Sequence, residues 1–225
     1  MPRRPRIAPG GLVYHCFNRA VARLALFEKD EDYAAFERVL EEAARQHPTR
    51  ILAYCVMPNH WHMVLWPRHA GELTDFVRWL THTHTMRCHA HFRTSGSGHL
   101  YQGRFKAFPV QTDDHFYSVV RYVERNALRA GLVSRAEEWR WSSLWRRRSR
   151  DDQAKSLLHA WPLPVPGRWI ARVNRPETES ELKSLRTSVK RGTPFGTSQW
   201  QSRTAKKLGL EWTLRARGRP RKPEP

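Results

Sequence analysis

Residues 51–66 read ILAYCVMPNHWHMVLW. Two β-rich apolar runs, 51–57 and 60–66, flank the dipeptide Pro58-Asn59, whose residues suit a tight turn, so the spacing predicts a hairpin inside one sheet. Upstream, GLVYHCF at 11–17 reads as a strand, and 30–46 carry Tyr33, Phe36, Val39, Leu40 and Ala43 at helical spacing. Downstream, Leu73, Phe76, Val77 and Leu80 restore the helical period over 72–91, and Ser95-Gly96-Ser97-Gly98 ends it. A fourth strand is expected over 103–111, with Pro109 confining that end to a sheet edge or bulge. Thr112 is a candidate N-cap, Asp113 and Asp114 suit the positive end of a helix over 113–130, and Gly131 suits its C-terminus. The order βαββαβα predicts an α+β fold: a ferredoxin-like sandwich with an antiparallel sheet, extended by one further helix.

Beyond residue 132 the strand pattern is lost, and seven of the ten tryptophans lie there. Two units are therefore expected, a domain over 8–132 and a basic extension of short helices and irregular segments over 133–225. The chain has 40 Lys and Arg against 21 Asp and Glu, a formal net charge of +19 over 225 residues. Such an excess repels itself unless a polyanion neutralises it, which makes nucleic acid the natural partner. Three cysteines, Cys16, Cys55 and Cys88, form no CxxC pair, so neither a disulfide framework nor a zinc ribbon is expected. With no apolar run near the roughly 18 residues that span a bilayer, a cytoplasmic protein without a membrane partner is expected.

Three His-x-His triplets occur: His60-Trp61-His62, His82-Thr83-His84 and His89-Ala90-His91. On a strand, residues i and i+2 point the same way with Cα atoms roughly 7 Å apart, whereas on a helix they diverge. Only the first triplet lies in a predicted strand, so His60 and His62 are the candidate metal pair and Trp61 should pack on the opposite face. His84, Cys88 and His91 share one helix face as a rival zinc set, but a solvated basic face suits them better. On the last predicted helix Phe116, Val119, Val120, Val123 and Ala127 form the buried stripe, while Tyr122 and Asn126, at i and i+4, are neighbours at its border.

MPNHWHMVLWP at 57–67 resembles the HUH motif, in which two histidines flank a bulky residue. HFYSVVRYVERNALRAGLV at 115–133 resembles the tyrosine helix of single-tyrosine HUH transposases. YQGRFKAFPV at 101–110 and, in the tail, GTPFG, KKLGLEWTLR and RGRPRK add to the similarity, which is to the REP-associated tyrosine transposases within the insertion-sequence 200-like family. The resemblance implies that Tyr122 is the nucleophile, that His60 and His62 are metal ligands, and that Asn126 is the third ligand or a polar group beside the metal. Many family members carry Gln at the position of Asn126. A divalent cation, Mg²⁺ or Mn²⁺, would polarise the scissile phosphate, and the implied products are a 5′-phosphotyrosine and a free 3′-hydroxyl.

The implied substrate is single-stranded DNA beside a hairpin-forming repeat. Arg104 and Lys106, flanking Phe105, are candidates to hold phosphates near the cleavage point, with Phe105 itself expected to pack. In the tail, Arg215, Arg217, Arg219, Arg221 and Lys222 suit an extended segment lying in a minor groove. Monomer and homodimer both remain open, as does donation of Tyr122 within a subunit or across a dimer. Two other readings share these features: a non-catalytic ferredoxin-like nucleic-acid-binding protein and a hydrolytic metallonuclease that activates water.

Overall fold

The computed structural model describes residues 7–96 and 98–215. Four strands, β1 (Val13–Arg19), β2 (Arg50–Met57), β3 (His60–Trp66) and β4 (Lys106–Val110), form one sheet in the order β2-β3-β1-β4. All three pairings are antiparallel. Between the strands run α1 (Asp30–Gln46), after β1, and α2 (Glu72–Phe92), after β3. The ferredoxin-like βαββαβ arrangement expected from the hydrophobic periods is therefore what the chain adopts.

The β2–β3 hairpin closes through Pro58 and Asn59, with Met57 opposite His60. Its turn is tied down by backbone bonds: Leu26 N–H donates to Pro58 O at 2.7 Å and Ala20 N–H to Asn59 O at 2.9 Å. At the far end of β2 a bulge between Ile51 and Ala53 breaks the alternation. Leu52 and Ala53 consequently both join the core on one side, while Ile51, Tyr54 and Val56 face the other.

Each sheet face has its own core. Tyr14, Cys16, Tyr54, Val56, Trp61, Met63 and Leu65 pack against Phe36, Val39 and Leu40 of α1 and Phe76, Val77 and Leu80 of α2. Trp61 is fully buried there, and its indole N–H reaches Tyr101 Oη at 3.3 Å. The opposite face carries Val13, Leu52, Cys55, Val64, Phe108 and Val110, covered by Phe116, Val119, Val120 and Val123. These last four lie on α3 (Asp114–Glu124), which α4 (Asn126–Arg129) follows after the single residue Arg125. The expected helix over 113–130 is thus interrupted once, and its cap is Asp113 rather than Thr112, with His115 N–H donating to Asp113 Oδ1 at 2.8 Å.

Residues 133–215 form short helices, α5 (Ser143–Arg148), α6 (Asp152–Ser156), α7 (Trp169–Asn174), α8 (Glu179–Arg191) and α9 (Ser198–Leu208), joined by irregular segments. They close both sheet edges. Val56 N–H donates to Trp141 O and His159 N–H to Ile51 O on the β2 side, while Phe195 exchanges backbone bonds with Pro109 and Gln111 beside β4, each at 2.9 Å. An uncovered edge strand invites pairing with other chains, and here the extension removes that hazard. Pro109 lies in the edge strand, as its missing N–H requires.

Several tryptophans act as pegs in this attachment. Trp161 donates to Leu52 O at 2.9 Å, the carbonyl at the bulge, and Trp139 donates to Val56 O at 2.8 Å. Trp169 donates to Glu124 Oε2 at 2.7 Å, and Ser143 Oγ donates to Glu124 Oε1 at the same distance. Glu124 is completely buried, and burial raises its carboxyl above the usual range. Trp212, at 60% exposure, is the exception among these indoles.

Candidate active site

Register determines which side chains share a face. Directly opposed residues of an antiparallel pair project to the same side, and Phe17 lies opposite His62, Arg19 opposite His60 and His15 opposite Val64. His15, Phe17, Arg19, His60 and His62 therefore all face α3. The ring centroids of His60 and His62 are 5.0 Å apart, as the alternation of a strand requires. Trp61 is sent to the other core.

His60 Nδ1 lies 2.7 Å from Asn59 Oδ1, and His62 Nδ1 lies 2.9 Å from His15 Nε2. Both Nδ1 atoms are thus engaged, so a cation would have to be met by the Nε2 atoms. Burial, with Arg19 and Arg129 nearby, pushes His60 down to about 4. Burial, then His15 and His60, lowers His62 as well, and burial with Arg129 takes His15 to about 3. All three rings are neutral at physiological pH, the state in which an imidazole offers a lone pair.

The tyrosine comes to these rings from α3. The Tyr122 ring meets His62 edge-on at 5.8 Å and His15 at 6.0 Å, centroid to centroid. It is 8% exposed and lines a cleft of about 220 Å³ shared with His115, Ser118, Glu177 and Glu181. Asn126 lies one turn on, buried, its Oδ1 accepting from Arg129 Nη2 at 3.0 Å while its Nδ2 has no partner among the described residues. Arg129 also stacks on the Tyr122 ring and donates to Glu177 Oε1 at 3.1 Å. Glu177 in turn accepts from Arg125 Nε at 2.9 Å, so a carboxylate of the extension fixes the segment that carries the tyrosine.

His60, His62 and Tyr122 are therefore brought together within one chain, and Asn126 is joined to Tyr122 through Arg129. His15, Arg19 and Arg129 join them and escaped the sequence reading. His15 sits in an apolar strand beside an ordinary tyrosine and has no HxH partner, so only register reveals it. The i+7 spacing of Tyr122 and Arg129 was available as a signal, because it places them two turns apart on one face.

Lys106 lies opposite Phe17, exposed on the same sheet face as the histidines, and Arg104 is exposed just before β4. Phe105 is buried in the other core. Arg215 is exposed, and Arg217, Arg219, Arg221 and Lys222 lie outside the described residues. The solvated role expected for the helical histidines needs one correction. His84 is buried at 3% exposure, its Nδ1 lying 2.9 Å from Tyr101 Oη and its Nε2 3.3 Å from Cys88 Sγ, because its place on α2 points into the core. Among the described residues no three or more His, Cys, Asp or Glu side chains are placed to hold a metal ion. No helix among them is long and apolar enough to cross a membrane.

Four antiparallel strands in this order thus set two histidines of one strand opposite a tyrosine carried by a helix. The model of the IS200-like transposases matches residues 10–126, and the chain belongs to that family. Among solved structures, that of a REP-associated tyrosine transposase bound to a REP hairpin is 20% identical. The match covers 74% of this chain and 94% of that one, with a TM-score of 0.49. A second, described as a transposase of Deinococcus radiodurans, is 21% identical over 56% of this chain and 96% of that one, with a TM-score of 0.38. No curated protein matches.

Proposed function

We propose that this transposase is a single-strand DNA endonuclease and strand transferase that recognises DNA hairpins of the REP type and cleaves beside them through a covalent tyrosine intermediate. The observation that carries this reading is the edge-on approach of Tyr122 to His62, 5.8 Å between ring centres, within one chain.

Tyr122 Oη attacks the scissile phosphorus. A bond forms between the phenolic oxygen and phosphorus as the phenol gives up its proton, the bond from phosphorus to the 3′ oxygen breaks, and that oxygen leaves as a hydroxyl by taking up one proton in exchange. The 5′ end stays on Tyr122, and a later 3′-hydroxyl attacks the same phosphorus and regenerates the phenol. One ester replaces another in each step, so joining needs neither ATP nor water.

Two neutral imidazoles whose Nδ1 atoms are engaged, and whose Nε2 atoms have no hydrogen-bond partner among the described residues, fit a divalent cation that completes its shell with oxygen, Mn²⁺ more readily than Mg²⁺. His60 and His62 would hold it. Asn126 is the candidate third ligand, through the second lone pair of the carbonyl oxygen that accepts from Arg129. Such a cation, when bound, polarises the scissile phosphate and stabilises charge on its oxygens. Arg129 holds the Tyr122 ring in place, while Arg19 and Lys106 line the sheet face along which a phosphodiester backbone would run.

In this reading residues 8–132 are the catalytic domain, and 133–225 are a DNA-binding extension whose basic tail adds Arg215, Arg217, Arg219, Arg221 and Lys222. The enzyme acts in the cytoplasm on DNA and has no membrane partner. A labelled single-stranded hairpin oligonucleotide incubated with Mn²⁺ and then denatured tests it. Wild type should yield a protein-sized labelled band that Tyr122→Phe lacks while still binding the hairpin. Cleavage without any adduct would favour an activated-water nuclease.

A further inference from the structure

We propose that Asn59 is a positioning residue that sets the tautomer of His60, holding the ring proton on Nδ1 so that the Nε2 lone pair is presented to a divalent cation. This rests on the reading of His60 as a metal ligand.

A neutral imidazole has one N–H and one lone pair, and only the lone pair binds a metal, so a ligand histidine in the wrong tautomer must first exchange its proton. His60 Nδ1 lies 2.7 Å from Asn59 Oδ1. An amide oxygen only accepts, so this contact requires a proton on Nδ1. Which end of an amide is oxygen must be settled by its other contacts. Here Asn59 Nδ2 donates to Arg23 O at 3.2 Å, and a carbonyl demands a donor, so the oxygen faces the histidine. Reversing the amide would set its oxygen against the Arg23 carbonyl and lose that bond.

The carbonyl that fixes the amide is itself held at a conformational cost. Ala22 and Arg23 occupy the left-handed region in succession, with φ of 50° and 60°, although neither is glycine. Strain of this kind persists where the surroundings over-determine it and collects at functional sites. The turn does not need the Asn59 side chain for its own closure, since backbone bonds from Ala20, Leu26 and Phe27 already clamp residues 58 and 59. His62 is held differently, through His15, where the proton can reside on either ring. Asn59 is the member of the site that makes the choice unambiguous.

Two measurements on the full chain test this, ¹⁵N NMR of the imidazoles without metal at pH 7.5 and titration with Mn²⁺ alone, followed by the loss of its free-ion EPR signal. Wild type should show His60 protonated on Nδ1. Asn59→Ala should shift His60 toward a mixture and weaken Mn²⁺ binding roughly 10- to 100-fold. Asn59→Asp, which keeps an acceptor toward Nδ1 but loses the donor to Arg23 O, should restore the tautomer. Metal-free hairpin binding should be equal in all three. A His60 protonated on Nε2 in wild type, or an Asn59→Ala protein with the wild-type tautomer and affinity, would overturn the proposal. Should Asn59→Ala fail to fold, the tautomers of wild type and of Asn59→Asp still decide it. Wild type that binds no Mn²⁺ would sink the reading of His60 and His62 as ligands, while the NMR result still judges Asn59.

Discussion

The guanidinium carbon of Arg129 sits 4.0 Å from the centre of the Tyr122 ring, and the same group bonds Asn126 Oδ1 and Glu177 Oε1. One cation thus joins the proposed nucleophile, the candidate third ligand and the extension. A guanidinium stacked on an aromatic face with its N–H groups tied to oxygens limits the ring to a narrow range of orientations. Arg129→Ala should therefore slow adduct formation by roughly 10- to 100-fold, a misplacement effect of the size expected when a reacting group loses its alignment. Hairpin affinity measured by gel shift should change less than about threefold. Equal adduct rates for the two proteins would remove Arg129 from the site.

Strand alternation separates two neighbours by role. Trp61 is fully buried between sheet and helices, so Trp61→Ala should destabilise the fold by roughly 3–5 kcal/mol, through lost burial and the cavity left behind. His60, next to it but on the other face and only half-buried, should behave oppositely: His60→Ala keeps the urea midpoint close to wild type and abolishes Mn²⁺ binding. Comparable destabilisation by both substitutions would contradict the division of faces.

The buried histidines give stability a definite pH dependence. His15, His60 and His84 are held down to about 3, 4 and 4 in the folded state, and His62 is lowered too. An unfolded histidine titrates near 6.5, so between roughly pH 6.5 and 4 the unfolded chain takes up protons that the folded chain refuses. Their contribution is complete above about 6.5 and declines as the pH falls. Glu124, raised by burial, works the other way, but it is one group against four. The urea midpoint of the metal-free protein should be lower at pH 5 than at pH 7.5. A midpoint that holds or rises on acidification would contradict the burial of these rings.

The basic tail should act through charge. Deleting residues 214–225 removes Arg215, Arg217, Arg219, Arg221 and Lys222, and each lost phosphate contact should flatten the slope of log affinity against log salt by about 0.7 to 0.9. Hairpin affinity at 0.1 M salt should fall, while adduct formation at saturating DNA should persist. Identical salt slopes with and without the tail would make it a bystander.

Much of this architecture was legible in residues 51–66. Two β-rich apolar runs around Pro58-Asn59 gave the hairpin, and the alternation of a strand put His60 and His62 on one face with Trp61 on the other. Helical periods gave α1 and α2, and Pro109 marked an edge strand. The interruption at Arg125 was not legible, because nothing between 113 and 130 is a helix breaker. The burial of His84 was hidden for a related reason: a polar residue on an apolar helix face reads as solvated until Tyr101, seventeen residues on, supplies its partner. His15 and Arg19 depended on the register of β1 against β3, and Glu177 depended on a contact spanning 48 residues to Arg129. Local patterning carries no information about such pairings.

A single chain supplies the histidines and the tyrosine of the proposed catalytic centre. Mixing Tyr122→Phe with a His60→Ala, His62→Ala double variant, and scoring labelled adducts on a hairpin oligonucleotide with Mn²⁺, tests that most directly. Neither variant alone should form an adduct, and equimolar mixtures at any protein concentration should stay equally inactive. Adducts that return on mixing would show the tyrosine serving a neighbour's histidines, contrary to the geometry described.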